Sequence, residues 1–315
     1  MTVEENTSTK IRTKKTKCGY VAVTGRPNAG KSTLVNALLE TPLSIVNSKG
    51  QTTRNKILGV MTKGSNQIIF LDTPGMFKPK NELHNFMLSE IKSALNDSDI
   101  ILHLIDAGKI NFEKLKLIEE SYKTIFTKKK RVFVLNKIDI SSQEQVVKDI
   151  KILEDEFGFK KIIPISALNK FNLESVHKVI IKNLPQSDFL FPDNTLTDRS
   201  ERFFIAEIIR NKILELYKEE IPYSIYVEVV TFRERPGCKF YISAEITVEE
   251  NSQKAILIGR KGLKLRQLGK EARIEIEDFL QKELYLELFL KVRKNWRANI
   301  PLLKNLYGNL SGYLV

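Results

Sequence analysis

Gly25-Arg-Pro-Asn-Ala-Gly-Lys-Ser32 is the stretch on which the reading of this chain turns. An apolar run at 20–23 precedes it, and apolar residues at helical spacing follow it over 32–39. Strand, glycine-rich loop and helix start in that order make a phosphate cradle. Glycine lets backbone N–H groups close on the anion, and the helix N-terminus adds partial positive charge. Lys31 reaches the outer phosphates and the Ser32 hydroxyl is a candidate Mg²⁺ ligand. The candidate contacts are Gly25, Arg26, Pro27, Asn28, Ala29, Gly30, Lys31, Ser32 and Thr33. The same residues could form a plain glycine-rich turn, but the flanking pattern favours the phosphate site.

Outward from the loop, further apolar runs at 68–71, 100–105, 132–135 and 162–165 read as strands buried on both faces, the pattern of a parallel sheet. Amphipathic segments at 81–95, 113–126, 143–157 and 173–184 alternate with them as crossover helices. The expectation is a doubly wound α/β domain over 18–184, preceded by a disordered basic tail at 1–17. The rhythm breaks over 185–198, where two prolines and several Asp and Asn residues suggest a linker. From 199 to 315 the order reads helix, strand, strand, helix, turn, helix, strand, an α+β domain.

Two motifs close the cleft implied by the loop. Asp72-Thr73-Pro74-Gly75 follows a strand, so Asp72 falls beside the phosphate loop as a second Mg²⁺ anchor and the Gly75 amide is placed to meet a γ-phosphate. Asn136-Lys137-Ile138-Asp139 ends the next-but-one strand. The Asp139 carboxylate matches the two N–H donors on guanine's edge, which adenine lacks, so GTP and GDP rather than ATP are expected. Lys137 covers the base, Asn136 braces the phosphate loop, and Ser166-Ala167 offers an N–H to guanine O6.

Together these motifs resemble the Era/EngA branch of translation-factor-like P-loop GTPases over 17–183. The branch carries a switch threonine for Mg²⁺ and the γ-phosphate, and Gln51-Thr52-Thr53-Arg54 looks like its version here. Thr53 is the choice and Thr52 the close alternative; a merely polar loop is the bland one. Lys31, Thr53 and Gly75 are the catalytic candidates, with Ser32, Thr53 and Asp72 around Mg²⁺. Met76 stands where many signalling GTPases have a water-orienting glutamine, so slow or assisted hydrolysis is expected and no general base is assigned. Asn28 looks like the residue that holds a potassium ion in relatives, and serves equally well as a loop-bracing amide.

In the second domain, Ala255 to Gly262 reads Ala-Ile-Leu-Ile-Gly-Arg-Lys-Gly. This GxxG turn, in that element order, resembles a type II KH domain, in which the loop clamps single-stranded nucleic acid. The candidate contacts are Gly259, Arg260, Lys261, Gly262, Lys264, Arg266, Lys270 and Arg273. The domain has 21 Lys and Arg against 16 Asp and Glu, and the whole excess lies between Gly259 and Arg273. A solvated basic face would look the same if taken alone. Ile256, Leu257, Ile258, Leu265 and Leu268 either line a base groove or fill the core. Lys291, Arg293, Lys294 and Arg297 around Trp296 could add RNA contacts, or the tryptophan could close a core edge.

A net charge of +13 and a pI near 9.5 favour a polyanionic partner. No apolar run approaches the roughly 20 residues of a membrane span. Cys18 and Cys238 stand far apart, which argues against a disulfide framework or a zinc site. The paired domains imply, through the resemblance, assembly and maturation of the small ribosomal subunit, with the KH domain on the 3′ end of its RNA. They also imply peripheral association with the inner membrane; the two lone cysteines fit a reducing, cytoplasmic setting, and no DNA partner is expected. The rival readings are a non-catalytic RNA-binding scaffold that holds GTP and a membrane-surface GTPase using its basic tail.

Overall fold

The computed structural model describes residues 15–47, 49, 52–108, 110–234 and 239–308. The first half runs β1 (Lys17–Gly25), α1 (Lys31–Leu39), β2 (Ile57–Lys63), β3 (Asn66–Asp72), α2 (Glu82–Asp97) and β4 (Ile100–Asp106). It continues through α3 (Phe112–Ser121), α4 (Lys123–Phe126), β5 (Lys130–Asn136), α5 (Gln143–Phe157), β6 (Ile163–Pro164) and α6 (Leu173–Asn183). These strands form one six-stranded sheet in the order β2-β3-β1-β4-β5-β6. Alternation along β1 sends Val21 and Val23 to one face, against Leu34 and Val35 of α1 and Ile180 of α6. Ala22 faces the other way, toward Ile91, Ala94 and Leu95 of α2. The buried strands are therefore apolar on both faces and lie between helices.

Three expectations change. The sheet is mixed, because β2 pairs antiparallel with β3. Gly59 hides that strand from a hydrophobicity reading; it lies against the Leu39 and Leu43 side-chain methyls, which a Cβ would displace. The single helix expected over 113–126 breaks at Tyr122, whose φ of −113° leaves the helical region. Leu115 belongs to the core under β5, and Tyr122 and Phe126 belong to the core under α2. The 185–198 segment still connects the two halves, and it is held along β2 and β3. The buried Gln67 side chain accepts the Leu190 and Phe191 N–H groups and donates to the Phe191 carbonyl, and Val60 N–H donates to Leu196 O. Edge-strand groups that would stand open are thereby paired. β1 begins at Lys17, inside the stretch read as tail, and residues 1–14 lie outside the described residues, as do Gln51 and Cys238.

The second half runs α7 (Glu201–Leu216), β7 (Tyr226–Arg233), β8 (Phe240–Val248), α8 (Asn251–Ile258), α9 (Leu263–Leu280), β9 (Leu284–Val292) and α10 (Ile300–Leu303). Its sheet, β7-β8-β9, pairs β7 with β8 antiparallel and β8 with β9 parallel. Ile205, Ile209 and Ile213 of α7 and Leu268, Ala272 and Ile276 of α9, at helical spacing, pack on the inward residues of these strands. After β9 the chain returns to the first half. Trp296, Leu303 and Tyr307 pack with Leu83 and Met87 of α2.

Candidate active site

Ligands of open α/β sheets bind outside the carboxyl ends of the strands. Here those ends deliver the 25–33 loop after β1, the 72–76 loop after β3, Asp106 after β4, the 136–139 segment after β5 and Ser166-Ala167 beyond β6. They open onto one cleft of about 590 Å³. Helix α1 begins at Lys31 behind Gly30, which adopts a left-handed φ of 92° and provides no side-chain cap, so its first N–H groups are left for an anion. A Cβ on Gly30 would fall 2.2 Å from Asn136 Nδ2. Lys31 Nζ bonds the Arg26 carbonyl at 3.1 Å, and burial pulls its pKa down to about 8.

Three oxygen-bearing side chains distant in sequence converge beside this loop. Ser32 Oγ donates to Asp72 Oδ2 at 2.7 Å and lies 3.1 Å from Thr53 Oγ1. Asp72 is fully buried, its Oδ1 has no hydrogen-bond partner, and burial raises its pKa against the pull of Ser32 and Lys31. Two hydroxyls and a buried carboxylate with an unpartnered oxygen are the hard donors that Mg²⁺ takes. Thr52 points its carbonyl to the Arg210 guanidinium instead. Thr73 Oγ1 donates to Val23 O at 2.8 Å and anchors the 72–76 loop to β1. Gly75 abuts the phosphate loop: a Cβ there would meet the Pro27 backbone at 2.7 Å. Met76 donates its N–H to Gly25 O, while its side chain, 2% exposed, lies in the core. A side chain buried there orients no water.

At the other end of the cleft Asn136 ties two loops together, donating from Nδ2 to Ala29 O at 2.8 Å and accepting the Ala167 N–H at 2.9 Å. The amide expected to meet guanine O6 is thus engaged by Asn136, so a contact to a base would be shared with it. Ile138 N–H donates to Ile165 O, and Ser166 Oγ accepts the Asn169 N–H. Asp139 is exposed at the cleft wall. Lys137 holds Asp106 by an ion pair of 2.7 Å. Asp106 was missed in the sequence, where its position at the end of the 100–105 run was the available signal. Arg26, Pro27, Asn28 and Thr33 line the same cleft.

The basic loop lies between α8 and α9. Gly259 and Gly262 both take positive φ, 69° and 75°, and Lys261 between them has a φ of 50°. Arg260, Lys261, Lys264, Arg266 and Lys270 are exposed, whereas Arg273 is half-buried near Glu277. Leu257 and Leu268 fill the core, Leu265 packs at its edge and Ile256 is exposed. Lys291 and Arg293 share Glu245 and Arg297 pairs with Glu249, so these three cations are engaged by two carboxylates. Trp296 is fully buried and donates to Ser224 O, which leaves it no face for a base.

This cleft and sheet define a P-loop GTP hydrolase, joined here to a KH domain. Residues 20–137 match the family described as 50S ribosome-binding GTPase, and residues 220–297 match the KH domain. The chain is 40% identical to GTPase Era of Clostridium botulinum strain Langeland, over 92% of this chain and 97% of that protein. Identity to GTPase Era of Clostridium kluyveri is also 40%, over 92% and 98%. A crystal structure of Aquifex aeolicus Era bound to GDP and AlF4⁻ superposes with a TM-score of 0.86 at 38% identity, covering 95% of this chain and all of that one. Era in complex with MgGDPNP and nucleotides 1506–1542 of 16S ribosomal RNA gives 0.85 at 38% identity, with the same coverage. The chain belongs to the GTPase Era family.

Proposed function

We propose that this GTPase binds the single-stranded 3′ end of small-subunit ribosomal RNA through the 259–273 segment and assists assembly and maturation of the small subunit. The observation that carries the reading is the exposed, glycine-hinged basic loop, on a chain that matches both domains of an Era protein complexed with 16S RNA. The family description naming the 50S subunit spans only residues 20–137, so the small subunit is the partner inferred. Positive φ at both glycines lets the backbone approach phosphates without an intervening side chain, while Arg260 and Lys261 supply charge. The test is binding of an RNA oligonucleotide carrying that 3′ end. Gly259→Asp is expected to abolish binding while GDP affinity stays at the wild-type value. Unchanged RNA binding by this variant would overturn the reading.

In the nucleotide site, Ser32, Thr53 and Asp72 would hold Mg²⁺, which neutralises charge developing on the phosphates. Lys31 and the Gly75 amide bind the outer phosphates, and Asp139 reads guanine. Asn28, whose φ of 64° is one that asparagine tolerates, is also the candidate for an assisting potassium ion. Faster turnover in potassium than in sodium at equal ionic strength is expected, and equal rates would remove Asn28 from that role. Residues 18–184 and 199–315 are taken as the two domains and 185–198 as their connection, each half having its own buried core. A cytoplasmic protein with peripheral membrane association fits these parts; no helix among the described residues is long and apolar enough to cross a membrane.

A further inference from the structure

We propose that Asp106 is a positioning residue that holds Lys137 across the base end of the cleft and so sets how long guanine nucleotides stay bound. The inference rests on the reading of Lys137 as the residue that covers the base. Asp106 is the last residue of β4 and stands in register with Asn136, the last residue of β5. Lys137 follows with a φ of 67°, turning the chain out of the sheet. Its Nζ bonds Asp106 Oδ2 at 2.7 Å, so the methylene stem is fixed at both ends, by its own backbone and by the neighbouring strand.

Both groups line the cleft, together with Asp139, Ile140 and Leu168. They are partly shielded, with side-chain exposures of 16% for Asp106 and 31% for Lys137, so water screens the pair less than it would on an open surface. A lysine stem is flexible and its ammonium strongly hydrated. Left alone, it would have to be ordered each time a base enters. The carboxylate removes that freedom beforehand, which is preorganisation of a binding wall. The other oxygen, Oδ1, accepts the Gly108 N–H at 3.2 Å and fixes the carboxylate in turn. This second bond also suggests a simpler role, a turn at the end of a strand, and the two roles are separable by chemistry. Asparagine keeps an oxygen for the Gly108 amide and loses the charge that Lys137 needs.

The experiment follows dissociation of fluorescent GDP and GTP from the full chain carrying Asp106→Asn, Lys137→Ala or both. Asp106→Asn is expected to speed release of both nucleotides about fivefold, the upper end for a partly exposed ion pair. The two nucleotides respond alike because they share the base. With the slow hydrolysis expected where Met76 replaces a glutamine, KM follows the binding constant and rises, while kcat holds. In the Lys137→Ala background Asp106→Asn adds nothing, since the residue it acts through is gone. Unchanged release in Lys137→Ala removes the base-covering reading on which the proposal stands. Faster release in Lys137→Ala with unchanged release in Asp106→Asn, or full additivity of the two, leaves that reading intact and overturns the role of Asp106.

Discussion

Lys31 carries a consequence of its burial. Its ammonium, desolvated in the phosphate loop, loses its proton above about pH 8 in the nucleotide-free protein. A bound phosphate chain favours the charged form, so the pKa rises on binding. Between those two values binding takes up a proton, and GDP affinity should fall with rising pH by at most about tenfold per unit. Calorimetry in buffers of different ionisation heats above pH 8 would detect the uptake; heats independent of the buffer would show that Lys31 does not titrate there. The motif residues were readable because each sits at an element end: Ser32 at the start of α1, Asp72 at the end of β3 and Asn136 at the end of β5. The choice between Thr52 and Thr53 was not. It depends on which of two adjacent hydroxyls meets Ser32 after folding: Thr53 Oγ1 lies 3.1 Å from Ser32 Oγ, while the Thr52 carbonyl accepts from the Arg210 guanidinium, distant in sequence.

Among the elements, α9 and the loop before it were legible in both composition and order, because charge confined to one helix start survives any tertiary arrangement. A prediction belongs to this element. Neutralising Arg260 and Lys261 together, as Arg260→Gln with Lys261→Gln, should flatten the log–log salt dependence of RNA binding by roughly 1.4 if each meets one phosphate of a single strand. A slope equal to that of the wild type would place RNA elsewhere. Elements whose identity depends on neighbours were less legible. β2 contains a glycine, Gly59, packed against Leu39 and Leu43, and glycine carries no strand propensity for the sequence to show. The turn at Lys63 to Asn66, with Gly64 at a φ of 62°, was the one local sign of the hairpin. The 185–198 strap looked like a linker because prolines and polar residues punctuate it; Gln67, 0% exposed on β3, turns it into a fixed edge cover.

At the scale of the whole molecule, the segment that carries Thr53 is clamped between the two halves. Arg54, buried, donates to the carbonyls of Ile225 and Tyr223 and to the Tyr307 hydroxyl. Lys49 reaches the carbonyls of Leu214 and Tyr217, and Asn47 bonds Asn211 at 2.9 Å. Hydrogen bonds from a charged donor are strong, and the acceptors they leave are costly when buried. Arg54→Ala should therefore lower stability by on the order of 3 kcal/mol. It should also weaken GTP binding more than GDP binding, because the adjacent Thr53 loses its anchor. Trp296 is the single tryptophan and lies in the same contact between halves, so its fluorescence during denaturant unfolding reports the loss. An unchanged midpoint would show that this arginine does not fasten the halves.

By itself the sequence determined what local spacing encodes: a phosphate loop between strand and helix, a base-recognition motif at a strand end, and a basic GxxG turn in a KH element order. These survive because their chemistry lies within a few consecutive residues and their backbone needs only the element next to them. Tertiary structure alone decided what depends on pairs distant in the chain. It brought Thr53 to Ser32 and Asp72, joined Lys137 to Asp106, buried the side chain of Met76, and engaged the Ala167 amide with Asn136. It also paired Lys291 and Arg293 with Glu245 and Arg297 with Glu249. The physical reason is that a residue type fixes which bonds a side chain can make, whereas packing fixes which partner comes within reach.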